Sequence, residues 1–165
     1  MLSPSSPDIF EACRQGDLAT VVEIYTSDPP IINSEDQKGF TPLIIAVYNN
    51  HPAIVKFLLE KGASPEMPDL SGNTALMGVC FKGYKDIVAM LLAAGINVNQ
   101  RNGNGATALT FAATFGHLDI AEMLLQHGAD GSIADTRGKT PLDHARVQEN
   151  KAMIALLEKH ASPKA

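Results

Sequence analysis

Two cysteines, Cys13 and Cys80, and five histidines, His51, His117, His127, His144 and His160, are the side chains here with nucleophilic or metal-binding chemistry. A reactive thiol needs a setting that stabilises the thiolate, and a zinc site needs several ligands converging at characteristic spacings. Neither pattern is present. No histidine pair stands at zinc spacing with a third ligand, and no Ser-His-Asp or Cys-His set has the spacing of a catalytic group. Asn102-Gly103-Asn104-Gly105 is glycine-rich but lacks the Lys-Ser/Thr that completes a phosphate loop, so it reads as a turn. No catalytic residue, metal ligand or cofactor is expected, and the chain is not expected to be an enzyme.

The elements that carry these residues follow from composition. The chain has 165 residues, 45% of them hydrophobic and 19% charged, enough apolar material for one folded unit. Trp is absent and aromatics make up 5%, so Leu, Ile, Val, Ala and Met must build the core, a mixture that favours helices. The net charge is −5, and no run of Lys or Arg could track a phosphate backbone, which argues against nucleic acid. Residues 1–82 hold 5 Lys/Arg against 10 Asp/Glu, while residues 83–165 hold 8 against 8. A basic partner would favour the first half unless these carboxylates are only solvated surface. Met1-Leu2-Ser3-Pro4-Ser5-Ser6-Pro7 has neither the basic nor the apolar region of a secretory signal, and no stretch approaches a membrane span. A cytoplasmic monomer, complete as a unit and without membrane association, is the expectation.

The organisation lies in a period. Gly39, Gly72, Gly105 and Gly138 are spaced by 33 residues, and each precedes by two places a threonine: Thr41, Thr74, Thr107 and Thr140. Leu58-Leu59, Leu91-Leu92 and Leu124-Leu125 keep the same spacing, as do Gly62, Gly95 and Gly128. In Thr41-Pro42 and Thr140-Pro141 a hydroxyl can cap a helix that begins with proline, where the missing N–H is of no consequence. Gly16, Gly83 and Gly116, with Asn50 in the same register, mark a turn that needs positive φ. Ile87, Leu91 and Leu92, and again Ile120, Leu124 and Leu125, form the apolar stripe of a second helix. Each unit is therefore a helix pair that is stable only when stacked. Register places Cys13 and Cys80 with Val47 and Ala113 in the core. Two repeats at roughly 8–10 Å each separate the thiols beyond disulfide reach.

This pattern resembles the ankyrin repeat, whose unit begins Gly-x-Thr-Pro-Leu-His and ends Leu-Leu-x-x-Gly-Ala. The resemblance implies an all-α ankyrin-repeat solenoid of stacked helix-turn-helix pairs with β-turn tips. The repeats fall approximately at 8–38, 39–71, 72–104, 105–137 and 138–161, the first and last as caps, within a single domain 8–161 flanked by tails 1–7 and 162–165. One departure stands out: the repeat's histidine is replaced by Ile44, Met77, Thr110 and Asp143. Tips held less rigidly are expected.

The family usually meets a protein partner on its concave side, through the turn tips and the exposed residues of the first helices. Carried onto this chain, that implies Phe40, Leu70, Asn73, Asn104 and Arg137 at the tips, and Tyr48, Asn49, Phe81, Lys82, Thr114 and Phe115 on the helices. Phe40, Tyr48, Phe81 and Phe115 are aromatic in a chain with 6 Phe and 3 Tyr, and exposed aromatics make binding anchors unless one or two of them pack over their own repeat. The leading expectation is an interaction module that binds a protein through this face. The alternatives are a dedicated inhibitor or immunity-type protein that blocks one enzyme and, behind it, a small-molecule binder in the groove.

Overall fold

The computed structural model describes residues 8–161; the tails 1–7 and 162–165 lie outside the described residues. Ten α-helices and one short 3-10 helix, with no strand among the described residues, form an all-α solenoid. They run in pairs: α1 (Ile9–Gln15) with α2 (Leu18–Ser27), α3 (Pro42–Tyr48) with α4 (Pro52–Glu60), and α5 (Ala75–Lys82) with α6 (Lys85–Ala93). The series continues as α7 (Ala108–Thr114) with α8 (Leu118–Gln126) and α9 (Pro141–Val147) with α10 (Lys151–His160). The 3-10 helix, Pro29–Asn33, follows α2.

Local chemistry sets each helix start. Thr41, Thr74, Thr107 and Thr140 sit in extended backbone, and each Oγ1 accepts the amide of the residue three places on, at 3.1 to 3.3 Å. That bond satisfies one of the donors a helix leaves unpaired. Thr110 and Asp143, which stand where the family has histidine, reach back to the amides of Thr107 and Thr140 and close a reciprocal capping box. Between the paired helices the chain reverses through positive φ at Gly16, Asn50, Gly83, Gly116 and Glu149.

Packing follows the register. First helices stack on first helices, α1 on α3, α5, α7 and α9 in turn, and second helices stack behind them. Val47, Cys80 and Ala113 are fully buried at one position of that row, and Ile54, Ile87 and Ile120 are buried at one position of the next. Burying such a side chain contributes roughly 1.5–3 kcal/mol, so the stack supplies what no single pair can. Met153 is fully buried in α10, whereas Ile154 is only half-buried. Cys13 and Cys80 are free thiols inside this core. Burial pushes the Cys13 thiol up to about 12 and raises Cys80 further.

Candidate functional site

Four loop tips and the inner sides of the first helices form one continuous face, and each tip is built the same way. Asp36, Asp69, Asn102 and Asp135, again 33 residues apart, each turn one side-chain oxygen onto the amides two and four residues ahead. Such Asx turns fix the loop without help from neighbours. Neighbouring tips are then tied by single backbone bonds: Leu70 donates to the Lys38 carbonyl at 3.2 Å, Gly103 to Ser71 at 2.9 Å, and Thr136 to Asn104 at 3.0 Å. Asn102 also donates its side-chain amide to Asn73 Oδ1 at 2.8 Å. With Ile44, Met77, Thr110 and Asp143 where the histidine would stand, these are the bonds that join the tips. At Gly72, with φ of 82°, a Cβ would lie 2.7 Å from the Gly103 amide nitrogen, so glycine is needed for both conformation and approach.

The inner helix face carries a row of aromatic rings. Tyr48 on α3 lies parallel to Phe81 on α5, with centroids 6.2 Å apart and planes at 10°. Phe81 meets Phe115 edge-on at 4.7 Å, and Phe115 lies parallel to Phe111 of α7 at 6.5 Å. The Lys82 ammonium sits 4.8 Å from the Tyr48 ring centroid, within cation–π range. Tyr48, Phe81 and Phe115 remain 41, 38 and 48% exposed despite these contacts. Large aromatic surface left to solvent on a well-packed scaffold is the usual mark of a contact site.

The other expected residues divide. Leu70 projects from its tip at 77% exposure, and Asn104 and Arg137 are exposed at theirs. Asn49 is exposed, but its amide donates to the Ile45 carbonyl. Thr114 is half-buried and its hydroxyl donates to the Thr110 carbonyl, and Asn73 is half-buried against Asn102. Phe40 departs from the expectation of an exposed anchor. It is half-buried and packs on the core beside the tip that Asp36 builds.

Between the tips and the rings lies a groove of about 620 Å³, floored by Ile44, Ile45 and Met77 and walled by Phe40, Tyr48, Phe81 and Phe111. Phe111 and Gly78, neither singled out from sequence, are central to it. They occupy the same register 33 residues apart. Gly78 lies within α5 without positive φ, where glycine costs about 0.5–1 kcal/mol relative to alanine. A Cβ there would meet Tyr48 Cδ1 at 3.3 Å, so the missing side chain gives the Tyr48 ring room and opens the groove.

Six of the ten carboxylates in the first half make hydrogen bonds within the chain. Asp8 and Asp17 cap helices, Asp36 and Asp69 build tips, Glu11 pairs with Arg14 and Gln15, and Glu66 accepts the Asn97 amide. The histidines are similarly employed. The His51 and His117 rings reach back to the Arg14 and Phe81 carbonyls of the preceding pair at 2.9 and 3.1 Å, and His144 meets Asp135 at 2.9 Å. Among the described residues no group of three or more His, Cys, Asp or Glu could hold a metal, and no helix is long and apolar enough to cross a membrane.

Comparison with known proteins agrees with this architecture. A family model described as ankyrin repeats in three copies matches residues 9–102, and one described as ankyrin repeats in many copies matches residues 91–145. The chain is 39% identical over 71 residues to BTB/POZ domain-containing protein 3 of Schizosaccharomyces pombe, covering 43% of this chain and 14% of that protein. It is 40% identical over 65 residues to the human NAD-capped RNA hydrolase NUDT12, covering 39% of this chain and 14% of that protein. It is 39% identical over 70 residues to the putative ankyrin repeat protein YahD of Escherichia coli, covering 39% of this chain and 35% of that protein. The chain thus spans about a seventh to a third of the length of these relatives.

Proposed function

This chain belongs to the ankyrin-repeat family, whose repeats serve generally as protein-interaction modules, and from that membership we propose that it binds a protein partner through its concave face without catalysing a reaction. Tyr48, Phe81 and Phe115 are the anchors, flanked by Leu70, Asn104, Lys82 and Arg137. The observation that carries this reading is the aromatic row. Three rings from consecutive repeats stand in one row, Phe81 in contact with both Tyr48 and Phe115, and each still presents more than a third of its surface to solvent. Folding gives no return for that exposure, whereas a partner that covers the rings gains both apolar burial and aromatic contacts.

Rigidity favours the same face. The tips are fixed by their own Asx turns and bonded to one another, so little ordering entropy is spent on association. The test is affinity capture from lysate of the source organism with three baits: wild type, a Tyr48→Ala/Phe81→Ala/Phe115→Ala triple variant, and a Glu122→Ala/Lys151→Ala variant of the second-helix face. A partner retained by the second-helix variant and lost by the triple variant is the expected result. A partner lost only by the second-helix variant would overturn the proposal. If the recovered partner is an enzyme whose turnover falls on binding, the module acts as its inhibitor.

A further inference from the structure

Asn102-Gly103 and Asn104-Gly105 place two asparagines directly before glycine in one tip. Asparagine is a labile residue, and this is the dipeptide in which it is least protected: glycine has no side chain to screen its amide nitrogen, which can reach the asparagine Cγ and close a cyclic imide. The reaction needs a side chain free to swing and an amide free to leave its hydrogen bond. The same two residues are therefore reactive or inert according to how the fold holds them.

The tip holds its two asparagines differently. Asn102 is half-buried. Its Oδ1 accepts the Asn104 and Ala106 amides, both at 2.9 Å, and its Nδ2 donates to Asn73 Oδ1 at 2.8 Å. The Gly103 amide that would attack it donates to the Ser71 carbonyl at 2.9 Å. Cyclisation at Asn102 must release all of these bonds. Asn104 is exposed, and its side chain makes no hydrogen bond among the described residues. Only its attacking amide is held, Gly105 donating to the Asn102 carbonyl at 2.9 Å. Gly105 is buried, but the Arg101 guanidinium lies against it and donates to its carbonyl at 3.2 Å. A positive charge there favours loss of the amide proton.

We propose that Asn104 is a site of spontaneous deamidation in the folded protein and that Asn102, in the same dipeptide, is shielded from it. The deprotonated Gly105 nitrogen bonds to Asn104 Cγ, the Cγ–Nδ2 bond breaks, and the nitrogen takes up a proton and leaves as ammonia. Water then opens the imide at either carbonyl and leaves aspartate or isoaspartate at 104, with nothing oxidised or reduced. Both products add a negative charge to the tip. In isoaspartate the main chain also runs through Cγ, so the carbonyl that accepts the Thr136 amide at 3.0 Å becomes part of a free carboxylate. The bond between this tip and the next is thereby undone. Deamidation changes both the charge and the ties of a tip that flanks the aromatic row, whether or not a partner is bound there.

The experiment is incubation of the full chain at physiological temperature and mildly alkaline pH, in buffer and in guanidinium chloride, with tryptic peptides sequenced by mass spectrometry at intervals. Enzymatic methylation of isoaspartate distinguishes the two products. Asn104→Gln, whose longer side chain does not close the same ring, checks the assignment. In buffer Asn104 should convert more than about tenfold faster than Asn102, because only Asn102 must first release several hydrogen bonds, and the two rates should converge in denaturant. Isoaspartate should fall to background in Asn104→Gln. Hydrogen exchange on the isoaspartate-bearing chain should show a faster Thr136 amide. Conversion of Asn102 in buffer at a rate equal to or above that of Asn104 overturns the inference. So does earlier conversion of any other asparagine, or no conversion in buffer over the time in which denaturant converts both. A Thr136 amide that exchanges as slowly as before would contradict the undone tie between tips.

Discussion

Phe81 and Phe115 pack in a T-shaped arrangement, with ring centroids 4.7 Å apart and planes at 87°, across the junction between α5 and α7. This arrangement brings the positive rim of one ring to the negative face of the other, and such pairs contribute about 0.5–1.5 kcal/mol beyond the area they bury. The two residues are not in the same repeat register: Phe81 corresponds to Thr114, and Phe115 to Lys82. Their contact therefore belongs to this chain rather than to the repeat.

A double-mutant cycle with Phe81→Ala, Phe115→Ala and both together should give a coupling of about 0.5–1.5 kcal/mol in urea unfolding. Each single change should cost little more than that, because both rings are more than a third exposed. Strict additivity would mean that the rings touch without stabilising each other.

Glu149 reverses the chain between α9 and α10 at φ of 55°, the position that Gly83 and Gly116 fill in earlier pairs. A left-handed conformation costs a residue with a Cβ about 1–2 kcal/mol. Glu149→Gly should accordingly raise unfolding stability by up to about 1 kcal/mol, after the extra chain entropy that glycine loses. A lowered urea midpoint would contradict the assignment of strain to this turn.

Acid should weaken the stack in a defined window. The Lys139 amide and then the His144 ring hold the Asp135 carboxyl below its usual value, the Thr140 amide and hydroxyl do the same for Asp143, and the Thr20 hydroxyl for Asp17. A depressed folded-state pKa means that the unfolded chain takes up the proton first. The stabilisation is thus fully present above the ordinary carboxylate value of about 4 and lost as pH falls through the lowered values. Urea midpoints should be level near neutrality and drop below about pH 4. Asp135→Asn should keep most of its stability at neutral pH, since Asn102 builds the equivalent tip, and should show a shallower acid loss. An unchanged acid slope would remove Asp135 from the account.

Both thiols lie inside the row of first helices, and burial raises their pKa values well above those of free cysteine. A thiol-exchange reagent at mildly alkaline pH should modify neither in the native protein and both after addition of denaturant. Rapid reaction of one thiol in the native protein would point to local opening at that helix.

Much of this was legible in the sequence for a physical reason: backbone demands recur at a fixed interval. The threonine caps and the turn glycines each answer a local requirement that few residues meet, so their spacing of 33 exposes the unit. Side-chain direction is less local. Phe40 follows the tip glycine just as Asn73 and Ala106 do, and nothing in that register says that its ring folds back onto the core. Gly78 looks like a weak spot in a helix until the Tyr48 ring is seen lying 3.3 Å from where its Cβ would be. The carboxylates of the first half count as charge in the sequence, and the sequence does not show that Asp8, Asp17, Asp36 and Asp69 each also turn one oxygen onto backbone amides. The Asx residues that build the tips, Asp36, Asp69, Asn102 and Asp135, were available at the same period.

The central claim is that the Tyr48, Phe81 and Phe115 face carries partner binding. The most direct measurement is calorimetric titration of the captured partner into wild type, the triple alanine variant and the Glu122→Ala/Lys151→Ala variant, each first shown to be folded. If the rings are binding hot spots of about 2 kcal/mol or more, the triple variant should bind at least about a hundredfold more weakly while the second-helix variant matches wild type. Equal affinity for wild type and the triple variant would place the partner elsewhere on the solenoid and contradict the claim.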